Sequence, residues 1–135
     1  QGKTDEAIQK LGQALIQNPL DGNTAFLLGR AYQIKGTDAL ALENFQRALQ
    51  SGWETDELHY YLGMLYGKLN RLGSAHYHFG RSFQLKGDRE KALFHYHTAL
   101  KIPMNEGEEK RRAEEEIKKL EAERKKEKEK NPERP

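Results

Sequence analysis

The chain has 135 residues, no cysteine and a net charge of +2, which leaves room for about one domain and excludes disulfides and thiolate chemistry. So small a net charge makes no strong field for nucleic acid or an anionic membrane, and no apolar run approaches the ~20 residues needed to span a bilayer. Apolar side chains are 36% and charged ones 33% of the whole, with residues 105–135 alone holding 11 acidic and 11 basic groups.

In chain order, Thr4 or Asp5 is placed to cap a first helix whose apolar face is Ala7, Ile8, Leu11, Ala14 and Leu15, spaced by three and four. Asn18-Pro19 ends it, because the residue before proline is pushed out of the helical region. A second helix is expected from about Asn23 to Lys35, closed by Gly36, and a third from Asp38 to Gln50, closed by Ser51-Gly52. Asp56 starts a fourth through Leu69, and Asn70, which tolerates positive φ, stands after it. Ser74 is expected to cap a fifth helix to Lys86, and Asp88 a sixth that reaches Ile102-Pro103.

These elements repeat. Thirty-four residues separate Gly2, Gly36 and Asn70, and the same step relates Ala7, Ala41 and Ala75. Leu11, Phe45 and Phe79 keep it, as do Ala14, Ala48 and Ser82. Between them Leu28-Gly29 with Tyr32 recurs as Leu62-Gly63 with Tyr66. A period of this size means stacked helical units, each unable to bury its apolar face alone. Glycine inside a helix costs ~1 kcal/mol against alanine, so Gly29, Gly63 and Gly80 mark places where a neighbouring helix must approach with no side chain between.

The residues resemble the tetratricopeptide repeat (TPR), whose pattern is W-x2-L-G-x2-Y, then A-x3-F, then proline. Leu28-Gly29-x2-Tyr32 with Ala41-x3-Phe45 matches one repeat, about 22–55, and Leu62-Gly63-x2-Tyr66 with Ala75-x3-Phe79 a second, 56–87. Ala25 and His59 hold the tryptophan position, and Trp53 stands where proline is common. Residues 1–21 look like part of a repeat whose first helix lies upstream, as if a longer protein had been cut there. The fifth helix fits both halves of the pattern: Ala75, Phe79 and Ser82 read as a second helix, Gly80-x2-Phe83 as a first. Either this helix does double duty or the register of the stack shifts there; order along the chain favours its pairing with the fourth, leaving the extra helix 88–103 to the charged tail. The resemblance implies an all-α fold, a TPR-type alpha-alpha superhelical solenoid of about six helices.

Residues 104–122 are expected to cap it as a further helix along the stripe Ala113, Ile117 and Leu120. Ion pairs at i,i+4 (Glu106–Lys110, Glu114–Lys118, Glu115–Lys119, Glu121–Lys125) would add a few tenths of a kcal/mol each. Nothing apolar follows Ala122, so 123–135 are expected to fray or be disordered.

In TPR proteins the first helix of each pair lines a concave peptide-binding groove. By resemblance those positions are Asn23, Phe26, Arg30 and Gln33, then Glu57, Tyr60, Met64 and Lys68. Rings and a methionine beside Arg suit an extended or helical peptide, although Phe26 and Tyr60 have a packing reading too, and Arg30 and Lys68 a solvated one. The Lys and Asn of the chaperone-tail carboxylate clamp are not at their places, which hold Phe26/Arg30 and Tyr60/Met64. His76-Tyr77-His78 and His95-Tyr96-His97 suggest metal, but residues two apart on a helix point about 200° from each other, so neither pair chelates one ion; no cofactor motif is present.

No nucleophile motif or phosphate-cradling loop is visible, so the expectation is a non-catalytic module binding a protein or peptide, with no nucleic acid and no membrane insertion. The apolar face of residues 4–18 suggests self-association through an open N-terminal edge. More loosely, Ser74–Ile102, with Lys86-Gly87-Asp88 and Lys91-Ala92-Leu93-Phe94-His95-Tyr96, is similar to the TPR tail of bacterial envelope zinc peptidases, whose catalytic H-E-x-x-H is absent here. That likeness implies a substrate-recognition or docking domain in outer-membrane protein quality control, and a periplasmic location; otherwise cytoplasm and periplasm are equally open.

Overall fold

The computed structural model describes residues 2–103 and 107–133. Among these, seven helices follow one another: α1 (Gly2–Gln17), α2 (Gly22–Lys35), α3 (Asp38–Gln50), α4 (Asp56–Lys68), α5 (Leu72–Leu85), α6 (Arg89–Lys101) and α7 (Gly107–Lys130). The fold is all-α, with no strand among the described residues. Neighbouring helices pack pairwise into a stack, α2 on α3, α4 on α5, and α5 again on α6, with α1 and α7 against its two ends.

The starts and stops follow from short polar side chains and from left-handed residues. Asp21 accepts from the Thr24 N–H, Thr55 from the Leu58 N–H and Asp88 from the Lys91 N–H. Gly36, Gly52, Asn70 and Gly87 have φ of 88°, 88°, 60° and 83°, the conformation that lets the chain leave one helix and re-enter the next. Two expected caps are corrected. Thr4 and Asp5 lie inside α1, which already begins at Gly2, and Ser74 lies inside α5, which begins at Leu72. Ser74 spends its hydroxyl elsewhere, on Glu109 of α7.

One device joins the pairs. A Cβ built on Gly29 would stand 2.6 Å from a ring atom of Phe45, one on Gly63 2.8 Å from Phe79, and one on Gly80 2.6 Å from Tyr96. In each case the ring of the following helix lies against the glycine backbone, closer than any side chain would permit. The spacing of these seats explains the double pattern of α5. As the partner of α4 it supplies Phe79, and as the partner of α6 it supplies Gly80. The preference for α4 alone is therefore corrected in favour of double duty: adjacent positions point toward different neighbours, so one helix serves both.

The core has two parts. Leu28, Phe45, Leu62, Leu65 and Tyr66 belong to one that spans α1 to α5, with Tyr32 packed against it. Tyr77, Leu93, Tyr96, Ile117 and Leu120 belong to another under α6 and α7. Leu62 is fully buried in the first, so Leu62→Ala is expected to cost ~2–5 kcal/mol in urea denaturation.

α7 differs from expectation at its end. Ala113, Ile117 and Leu120 are buried as their stripe predicts, but the helix runs on to Lys130 instead of fraying after Ala122. Arg89 reaches Glu127 at 2.5 Å and Arg124 reaches Glu90 at 3.2 Å, tying the distal turns to the start of α6, and Glu, Lys and Arg are good helix formers. Among the described residues Arg112 pairs with Glu108 at 2.9 Å, whereas Glu114–Lys118, Glu115–Lys119 and Glu121–Lys125 form no ion pair. Fixing two long exposed side chains costs about what such a pair returns. Residues 104–106, and with them the Glu106–Lys110 pair, lie outside the described residues.

Candidate functional site

Two constellations stand out, one on the surface and one buried. The first contains the expected groove residues. Arg30 on α2 places its guanidinium 3.7 Å from the centre of the Tyr61 ring on α4 and donates to Gln33 Oε1 at 3.1 Å. This contact pins the cation over the Tyr61 ring. Tyr60 meets Tyr61 edge-on at 5.5 Å and Phe79 at 5.9 Å; Phe79 meets His95 at 5.5 Å, and His95 meets Phe94 at 5.2 Å. Rings thus follow one another from α4 to α6, with Arg30 of α2 at one end. Tyr60 is 42%, Met64 44% and Phe94 64% exposed, more apolar surface than a chain of packed rings needs for its own burial. Lys86 lies 5.9 Å from the Tyr60 ring and Lys91 5.4 Å from Phe83, so cations border the strip.

The expected positions divide. Arg30 and Gln33 come together over Tyr61, whose ring meets exposed Tyr60, and exposed Met64 lies one turn along α4. Phe26 is buried against Phe45 and Tyr61, at 6.0 and 6.1 Å, and serves the core rather than a groove. Lys68 is engaged with Asp38 at 3.2 Å. Asn23 and Glu57 stand exposed near the helix starts. Tyr61 and Phe94, outside the expected groove positions, complete the strip.

The second constellation was missed. Glu54, just before α4, lies 2.9 Å from His59 Nε2; His59 Nδ1 faces His78 Nδ1 at 2.9 Å; His78 Nε2 is 3.3 Å from Glu109 of α7. Arg81 donates to Glu54 from Nη2 at 2.5 Å, and Ser74 donates to Glu109 at 2.6 Å. Both imidazoles are almost wholly buried, and Tyr66 stacks on His78 at 5.3 Å. Burial would raise Glu54, but Arg81 and His59 more than offset this and hold it below the usual carboxylate range. Glu109 is likewise lowered against its burial, by His78 and Ser74. His59 is pushed down to about 4 by burial and by the neighbouring His78. A second stacked pair, His76 with His95, has its Nδ1 atoms 3.0 Å apart. One sequence signal marks both: each pair is 19 residues apart, and they are offset by one helix and its turn.

This polar chain is not a nucleophile triad. Glu109 stands between Ser74 and His78, so the imidazole cannot take the hydroxyl proton. Among the described residues no three His, Asp or Glu side chains converge to hold a metal ion. No described helix is long and apolar enough to cross a membrane. Comparison with known protein families and with curated proteins finds no match for this chain.

Proposed function

We propose that the chain is a protein-binding module of the TPR type, in which the strip from Arg30 through Tyr60 and Met64 to Phe94 holds a peptide or protein partner. The observation that carries this reading is the exposure of Tyr60, Met64 and Phe94 along a line of ring contacts bordered by cations. Such surfaces supply contact area from rigid rings and orientation from charged hydrogen bonds. The glycine seats under Phe45, Phe79 and Tyr96 support the repeat reading, since the same close approach recurs between successive packed helices. Attached to an enzyme, a module of this kind would be its recognition half and not its catalytic one.

Selection from a displayed peptide library tests the proposal. Enriched peptides are expected to bind the parent chain and to lose at least tenfold in affinity to an Arg30→Ala, Tyr60→Ala, Met64→Ala variant of unchanged helicity. No enrichment, or equal binding to the variant, would overturn it. Self-association through α1 has support of its own, because Ala14 is exposed where its repeat counterparts Ala48 and Ser82 are buried.

A further inference from the structure

The buried polar chain has a proton count that two neutral histidines do not meet. A carboxylate only accepts hydrogen bonds, so His59 Nε2 beside Glu54 and His78 Nε2 beside Glu109 each carry a hydrogen. The two Nδ1 atoms, 2.9 Å apart, need one hydrogen between them, since facing lone pairs repel at that distance. Two neutral imidazoles own two ring hydrogens, and these contacts use three. The third is not drawn from the carboxylates, which Arg81 on one side and Ser74 on the other hold ionised.

Charged groups face the pair from every side. Glu54 and Glu109 are anions; Arg81 holds Glu54 and also lies 3.9 Å from Glu116 of α7, and Arg71 acts on Glu109. Tyr66 stacks on His78, and Tyr77 stands beside Arg112 of α7, itself paired with Glu108. The need for a third hydrogen therefore rests on the three ring contacts. Glu109 is the α7 group that meets an imidazole directly, and it sits in the first turn of that helix.

We propose that the His59–His78 pair holds one shared proton and that this proton clamps the first turn of α7 onto α4 and α5, so that losing it, or gaining a second, frees the turn. Release on the alkaline side leaves two facing lone pairs. Release on the acid side sets two cations against each other. The cluster already borders a cleft of about 250 Å³ beside Gln46, Tyr66 and Arg112, and either event would widen it.

Nitrogen-15 histidine NMR on the full chain counts the ring hydrogens, and amide exchange in residues 107–113 reports the turn. Near neutral pH, three ring hydrogens are expected on His59 and His78, two on Nε2 and one shared between the Nδ1 atoms. Exchange protection of the turn is expected to peak there and to fall at both lower and higher pH. Glu109→Gln should lose the third hydrogen and raise exchange in the turn at least tenfold at neutral pH, with α2 and α3 unaffected. Two ring hydrogens in the parent chain, or protection that is flat with pH, would overturn the proposal.

Discussion

Phe45→Ala should cost about 3–5 kcal/mol of stability. Its ring is fully buried, lies on the backbone of Gly29 and touches Phe26 at 6.0 Å. Removing it leaves a void facing a position with no side chain to fill it, and the backbone of α2 cannot collapse inward without separating α1 from the stack. Gly29→Ala alone is expected to destabilise as well, because the new Cβ meets the same ring at 2.6 Å and overpacking outweighs the ~1 kcal/mol of helix propensity gained. The two changes together should cost less than their sum, since each makes room for the other. Urea midpoints of the four proteins measure this directly. Simple additivity would show that ring and glycine are not a packed pair.

The second large effect is acid sensitivity near His59. Burial and His78 push this group from 6.5 to about 4 in the folded chain. Between those values the unfolded chain binds a proton that the folded chain refuses, so stability falls as pH falls through that window. The full shift corresponds to about 3 kcal/mol, large beside the 5–15 kcal/mol of an ordinary domain. His76 and His95 are lowered too, both first by burial, and add loss in the same direction. Denaturation at pH 7, 5.5 and 4.5 should show a progressive decline that His59→Gln makes shallower. A parent profile unchanged over this range would mean that His59 is solvated.

Both effects arise where the two helices of a pair meet, and they differ in how far the amino-acid sequence announces them. The Phe45 seat was legible: a glycine inside an apolar helix at position 29 and an aromatic at the A-x3-F position imply close approach. The same logic located Gly63 and Gly80, and the caps at Asp88 and the left-handed Asn70 were local chemistry. Ser74 misled because serine two residues into a helix resembles a cap. Its hydroxyl found a carboxylate 35 positions away, and local pattern holds no information about that. Arg30 and Tyr60 were reached through the repeat, but Phe26, on the same face by periodicity, went into the core because Phe45 and Tyr61 close over it.

What the residues determined by themselves was therefore what rests on repeated local pattern: the helices, most of their breaks, the 34-residue step and the glycine seats. Periodicity is a property of one helix face and survives translation along the chain. The tertiary structure decided which faces are shared and which stay open. It set α5 between two partners, extended α7 through ion pairs with α6, and brought the buried His59, His78 and Glu109 into one line that ends on the exposed Glu54. Those outcomes depend on distances between segments far apart in sequence, where burial makes each unpaired charge too costly to leave unmatched.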